Sequence, residues 1–309
     1  IFIAGIICTL LFLSNQARTD PGNSTKLLTD SKILNEKANN VTRIHSLAVI
    51  TSLYREGISF LPRTLDSITS SLYNETWRVT WCLGIDMKNP DTRFVLLKTL
   101  SDLKNAKIPT SIVKEGSGSK FTTTSEIVRL QKFNRLSALI FIPTKDSVWA
   151  TLRYSMGRLA NLWHGMLSDD TWVYHLDLDN ALHCNFFNET YKKISTEKHI
   201  ELITFPIVYN GEGVVLKPLP RPGAVDTANF LHVNGIVRNA SLVWGEMEDL
   251  HSKYKYPDAS FIIPAILHAE RRHTYSKISS VLGYHNRLKW FHGNSTCPDV
   301  EDLSEVRNS

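Results

Sequence analysis

The sequence predicts an α/β fold with a mainly parallel central sheet flanked by helices, built as a single domain. Short β-branched runs alternate along the chain with segments whose apolar residues recur at helical spacing. Two aspartates, Asp177 and Asp179, close one of the apolar runs, in the stretch "WVYHLDLDN". Strands that alternate with helices pair in parallel and gather ligands at their carboxyl ends.

The elements follow in order. "IFIAGIICTLLFL" opens the chain with thirteen uncharged residues, short of the ~20 that span a bilayer core. It reads as the end of a truncated signal anchor over residues 1–14, or as a signal-peptide core, with the anchor preferred because "LSNQARTD" makes a poor cleavage site. A polar stem over 15–44 and a folded domain over 45–295 follow, with a tail at 296–309. "SLAVITSL" (Ser46 to Leu53) is a first strand, and Leu61, Leu65, Ile68 and Leu72 mark the helix after it. "WRVTWCLGID" is a second strand, "RFVLLKTLSDLKNA" a second helix and "IPTSIVKE" a third strand. Residues 116–147 read as a less regular insert. The helix "VWATLRYSMGRLANLWHGML" precedes the strand that ends at the aspartates.

Composition narrows the function classes. With 42% hydrophobic and 21% charged residues the chain can bury a full core. The net charge of +5 is dispersed, with pairs such as Arg271 and Arg272 but no long basic run, so nucleic acid is not an expected partner. Six Asn-x-Ser/Thr sequons, at Asn23, Asn40, Asn74, Asn188, Asn239 and Asn294, favour a lumenal glycoprotein. Of four cysteines, Cys8 lies in the apolar segment and Cys82 in a strand, which leaves Cys184 and Cys297 as the plausible disulfide pair; their spacing matches no zinc motif.

Carboxylates at i and i+2 on a strand face the same way, and at a strand end both can reach one hard divalent cation. Mn²⁺ or Mg²⁺, shared with a diphosphate, is the expected occupant. The alternative is that one aspartate caps the next helix while the other is solvated.

Several stretches, in order, resemble family 2 glycosyltransferases and related enzymes of the GT-A fold. "LAVITSLYREGISFLPRTLDSI" resembles the family's first strand, loop and helix, and "GIDMKNPDT" its second-strand acidic loop, with Asp86 and Asp91. "GRLANLWHGML" resembles the helix before the metal strand, "DLDN" the Asp-x-Asp motif and "VDTANFL" a later Asp-Thr segment. The agreement runs over roughly residues 46 to 268. The resemblance implies a nucleotide-sugar donor, UDP- preferred over GDP-, and a glycan, lipid or protein hydroxyl as acceptor. It implies that Thr51, Tyr54, Glu56 and Asp86 hold the nucleoside, that Asp177 and Asp179 bind the cation with His285 as a third ligand, and that Arg158 and Asp226 contact the donor. Asp258, 79 residues beyond Asp179, is the expected general base, with Glu246, Glu248 and Asp249 as rivals. Asp258 is equally suited to cap a helix. The sequence departs from the family in the loop "MKNP" and in Pro257-Asp258, so inversion and retention both stay open.

The expected protein is thus a hexosyltransferase-type enzyme on Golgi or ER membranes, single-pass type II, with its catalytic domain in the lumen. The competing expectation is a non-catalytic GT-A-fold subunit that binds sugar or assembles a complex.

Overall fold

The computed structural model describes residues 44–72, 75–85, 91–116, 119–142, 155–209, 214–221, 225–244 and 257–285. They belong to a compact unit that begins at Ile44. Eight strands form the main sheet. In spatial order they are β11 (Tyr275–Lys277), β7 (Leu202–Thr204), β10 (Phe230–Val233), β5 (Trp172–His175), β1 (His45–Leu53), β2 (Trp77–Ile85), β4 (Leu136–Ile142) and β3 (Thr110–Lys114). All neighbours pair in parallel except β10, which runs antiparallel to β5 and β7. A second sheet orders β6 (Ala181–Leu182), β12 (Gly283–Tyr284), β8 (Ile207–Tyr209) and β9 (Val214–Leu216).

Alternation along β1 divides the core into two layers, because successive side chains of a strand point to opposite faces. Leu47 and Val49 join the cluster built with α1 (Leu61–Ser71), α2 (Thr92–Asn105) and α5 (Phe186–Thr196), which also holds Trp77, Val79 and Trp81 of β2. Ala48 and Ile50 face the other way, onto α3 (Ser119–Phe133) and α4 (Ser155–Met166) through Ile127, Leu130, Leu159 and Trp163. Helix α4 lies so close to β2 that a Cβ on Gly84 would come 2.2 Å from Leu159 Cδ2. α6 (Gly235–Asn239) and α7 (Pro257–Arg271) cover the β10 end, where Phe261, Ile262 and Ile266 pack on Phe230 and Trp244.

Among the described residues the predicted strands and helices form where expected, with one correction; residues 148–154, the first part of the helix expected before β5, lie outside them. The segment expected to be irregular holds α3 and β4, and β4 lies inside the sheet between β2 and β3. "LSALIFI" is buried at Ser137 through Phe141 and shows no polar alternation, as befits a strand covered on both faces. Helix α3 carries three consecutive threonines and only a weak apolar stripe, so the period gives it away poorly.

No helix among the described residues is long and apolar enough to cross a membrane, and the N-terminal apolar segment lies outside them. Cys82 is free and buried; Cys184 is disulfide-bonded. Two sequons fall on described residues. Asn239 is exposed at the end of α6, with Ser241 exposed beside it; Asn188 sits half-buried within α5, where the Thr190 hydroxyl is buried and donates to the Phe186 carbonyl at 2.7 Å.

Candidate active site

The chain leaves β1 for β2 on one side, while β5 lies on the other, so the carboxyl ends of β1 and β5 flank a point where the connections diverge. Such a crevice is the usual ligand site of a parallel sheet. Asp177 and Asp179 follow β5 there, both partly exposed, whereas Leu176, Leu178 and Asn180 beside them are buried. The alternation is the strand rule carried past the end of the ladder.

Two threonines fix this segment. Thr51 at the end of β1 is fully buried, and its hydroxyl donates to the Leu176 carbonyl at 2.6 Å while accepting from Trp81 Nε1 at 2.9 Å. Thr64 on α1 donates to the Leu178 carbonyl, also at 2.6 Å. The Leu176 amide in turn donates to the Ile50 carbonyl. The carbonyls either side of Asp177 are thus held within the fold, while the side chains of Asp177 and Asp179 stay partly exposed. Thr64 begins a buried hydroxyl stripe with Ser67 and Ser71; Ser67 Oγ accepts from the Leu182 amide at 3.3 Å, joining α1 to β6. Thr64→Val, which keeps the shape and removes the donor, is expected to cost about 1–3 kcal/mol in thermal denaturation, with most of it restored by Thr64→Ser. An unchanged midpoint for the valine variant would show that the Leu178 carbonyl needs no such anchor.

The remaining expected residues divide. Tyr54, directly after β1, is half-buried, and burial together with the charges of Asp179, Asp177 and Glu56 pushes its phenol above the usual range. It therefore stays a neutral hydroxyl at physiological pH, close enough to sense both aspartates. Gly57 leaves room for the ring, since a Cβ there would lie 2.5 Å from Tyr54 Cζ. Glu56 is exposed. Thr51, expected to hold the nucleoside, has its proton engaged within the fold and acts on the aspartates through Leu176. Asp86, Glu246, Glu248 and Asp249 lie outside the described residues, as do the side chains of Arg158 and Asp258. Asp86 follows Ile85, the register partner of Leu53, so the backbone brings the β1 and β2 exits side by side. Arg55 bridges them in an ion pair with Asp91. Asp258 falls in the first turn of α7.

Asp226 is buried and caps a short 3-10 turn (Thr227–Asn229): its Oδ1 accepts from the Ala228 amide at 2.9 Å, and Asn229 completes a reciprocal cap. Its Oδ2 lies 3.6 Å from His285 Nε2. Thr227 Oγ1 lies 3.5 Å from Asp177 Oδ2, so Asp177, Thr227, Asp226 and His285 form one continuous polar wall. Tyr174 supports it from below by donating to the Ala228 carbonyl at 2.8 Å, and burial with the charges of Asp226 and Asp177 holds its phenol well above the usual range. His285 thus stands beside Asp226. Among the described residues no third histidine, cysteine or carboxylate is gathered with Asp177 and Asp179 into a closed cage. Magnesium-type sites often use only one or two carboxylates together with substrate phosphates.

Thr64, Thr227 and Tyr174 escape the sequence reading. The legible signal was the Thr64, Ser67, Ser71 spacing in "TLDSITSS", which puts hydroxyls on the buried face of a helix.

No protein-family model matches the chain, and no curated protein matches it in sequence. Among solved structures it is similar to S. aureus TarS, at 14% identity and a TM-score of 0.46 over 85% of this chain and 38% of that one. It is also similar to S. aureus TarS 1-349 in complex with UDP-GlcNAc, at 13% identity and a TM-score of 0.47, covering 85% of this chain and 64% of that one. A third is mouse xyloside xylosyltransferase 1 in its apo form, at 11% identity and a TM-score of 0.38, covering 82% of this chain and 99% of that one. The chain thus spans well under half of the first TarS chain and just under two thirds of TarS 1-349 in its UDP-GlcNAc complex.

Proposed function

We propose that the protein is a metal-dependent glycosyltransferase that moves a sugar from a nucleotide-sugar donor, UDP-linked in preference to GDP-linked, to a hydroxyl of a glycan, lipid or protein. The observation that carries this reading is the placement of Asp177 and Asp179 at the carboxyl edge of β5, beside the end of β1, with their flanking carbonyls locked by Thr51 and Thr64. The sequence resemblance supplies the reaction class, and the geometry supports it.

The donor set fits a divalent cation: two partly exposed carboxylates two residues apart, just past the end of β5, offer hard oxygen ligands and suit Mn²⁺ or Mg²⁺. When bound, such a cation neutralises the charge that grows on the diphosphate leaving group as the glycosidic bond breaks. The chain's own residues do the rest. Tyr54, a neutral donor beside the aspartates, borders the nucleotide's path from the β1 loop. Asp226, held by its cap, offers Oδ2 toward a sugar hydroxyl on the same wall as Asp177. Asp258, at the start of α7, is the proposed base for the acceptor hydroxyl in an inverting reaction. Titrating UDP and GDP into the purified protein with and without Mn²⁺ tests the reading. It expects one nucleotide to bind in a manner that requires the cation, and absence of any nucleotide binding by folded protein would sink it.

The same proposal places the protein in the lumen of the Golgi or ER, held by its N-terminal segment. The disulfide at Cys184 supports an oxidising compartment. Asn239, exposed with its serine, is expected to carry a glycan, and Asn188, inside a helix with its threonine buried, to carry none. Asn239→Gln should therefore lose one glycosidase-sensitive step in gel mobility that Asn188→Gln keeps.

A further inference from the structure

Behind the strand that delivers Asp177, three histidines from three elements meet in the core. His164 lies on α4, His175 ends β5 and His232 lies on β10. All three are buried, and one ring nitrogen from each lies within 4.8 Å of one from each of the others. Their ring centroids form a nearly equilateral triangle with sides of 5.3, 5.3 and 5.6 Å. Histidine is seldom buried without a defined partner, and three together call for a cause.

The hydrogen bonds fix two of the tautomers. The Asn234 amide nitrogen donates to the carbonyls of His164 and Leu167, both at 3.1 Å, so its Oδ1 faces His164 Nδ1 as an acceptor at 2.8 Å. His164 therefore carries its proton on Nδ1, leaving Nε2 a bare lone pair with no hydrogen-bond partner. His232 Nδ1 donates to the Val233 carbonyl at 3.1 Å, which leaves its Nε2 a lone pair as well. Outer hydrogen bonds of this kind orient metal-binding imidazoles. The Nε2 atoms of His175 and His232 are 3.4 Å apart. That is a long contact for a hydrogen bond but close to the ~3.3 Å edge of a tetrahedron with ~2.0–2.1 Å zinc–nitrogen bonds.

We propose that His164, His175 and His232 bind one buried transition-metal ion, Zn²⁺, which clasps α4, β5 and β10 together directly behind the aspartate segment. Three neutral nitrogen donors walled by Phe230, Trp244 and Phe261 supply no oxygen for Mg²⁺ or Ca²⁺, and imidazole is a preferred zinc ligand. Three protein ligands leave a fourth position for water or hydroxide. Burial holds His164 down to about 4 and His232 down to about 3, so neither ring needs to release a proton before it binds. The role is structural, and it stands whether or not the transferase reading holds.

The test is elemental analysis of the full-length protein after native dialysis against EDTA, since an ion enclosed in the core is released only on unfolding. The expected result is close to one zinc per chain, retained by the Asp177→Asn/Asp179→Asn double variant and lost from His164→Gln and His232→Gln. Protein grown on cobalt should show the visible absorption of a low-coordinate cobalt–imidazole centre, a readout that needs no variant to fold. Unfolding in the presence of a chelator and refolding with Zn²⁺ should raise the melting temperature on the order of 5–10 °C over refolding without it. Folded wild-type protein with only trace transition metal and no cobalt spectrum would overturn the site. So would zinc that persists in the folded histidine variants or disappears with the aspartates.

Discussion

Asp177→Asn and Asp179→Asn are each expected to lower transfer by about 10²–10³-fold, the effect of removing one preorganised electrostatic contact to developing charge, and to abolish cation-dependent nucleotide binding. The fold should survive both changes. The two side chains are partly exposed, and what shapes their segment is the backbone: Leu176 and Leu178 hold it through the hydroxyls of Thr51 and Thr64, which the variants leave intact. Without a cation the paired carboxylates repel each other, so each asparagine should leave the melting temperature unchanged or slightly higher while activity collapses. Calorimetric titration of UDP with and without Mn²⁺, beside differential scanning calorimetry, separates the two effects. Unaltered nucleotide binding in both folded variants would reduce the aspartates to solvated turn residues. Asp226→Ala makes a useful contrast. Its carboxylate also caps the turn before β10, so that change should cost stability as well as activity.

The second large effect is expected from Trp81. Its indole is fully buried in β2, and its Nε1 donates to Thr51 Oγ1, which in turn donates to the Leu176 carbonyl. Truncation to alanine should cost about 3–5 kcal/mol through the cavity it leaves, a fall in melting temperature on the order of 10 °C for a domain of this size. Trp81→Phe keeps most of the packing and removes only the hydrogen bond. It should cost about 1 kcal/mol yet loosen the relay to Asp177, so its loss of transfer should exceed what its small destabilisation explains. Equal melting temperatures for wild type and Trp81→Ala would refute the packing account. Full activity in Trp81→Phe would show that Thr51 holds Leu176 without help from the indole.

The success of the fold reading has a simple cause. β1, β2 and β5 announce themselves as apolar, β-branched or aromatic runs, and α1 as a run of leucine and isoleucine at helical spacing, because burial against a helix layer demands those residues at those positions. The failure at residues 116–147 has an equally local cause. β4 is covered on both faces and so lacks alternation, while α3 spreads its few apolar residues among threonines and charges. The reversed direction of β10 is likewise invisible locally, since a strand reads the same whichever way its neighbours run.

The sequence by itself determined the α/β class, most of the elements and the position of Asp177 and Asp179 at the end of a strand, because these depend on periodicity and on residue types close in the chain. Only the tertiary structure decided that Thr64, 114 residues from Leu178, anchors the aspartate segment, that Thr227 meets Asp177 and His285 meets Asp226, and that His164, His175 and His232 share one point in the core. Each of these contacts joins residues far apart in sequence, and a side chain's partner across the fold is set by strand order and helix packing, which no local pattern encodes.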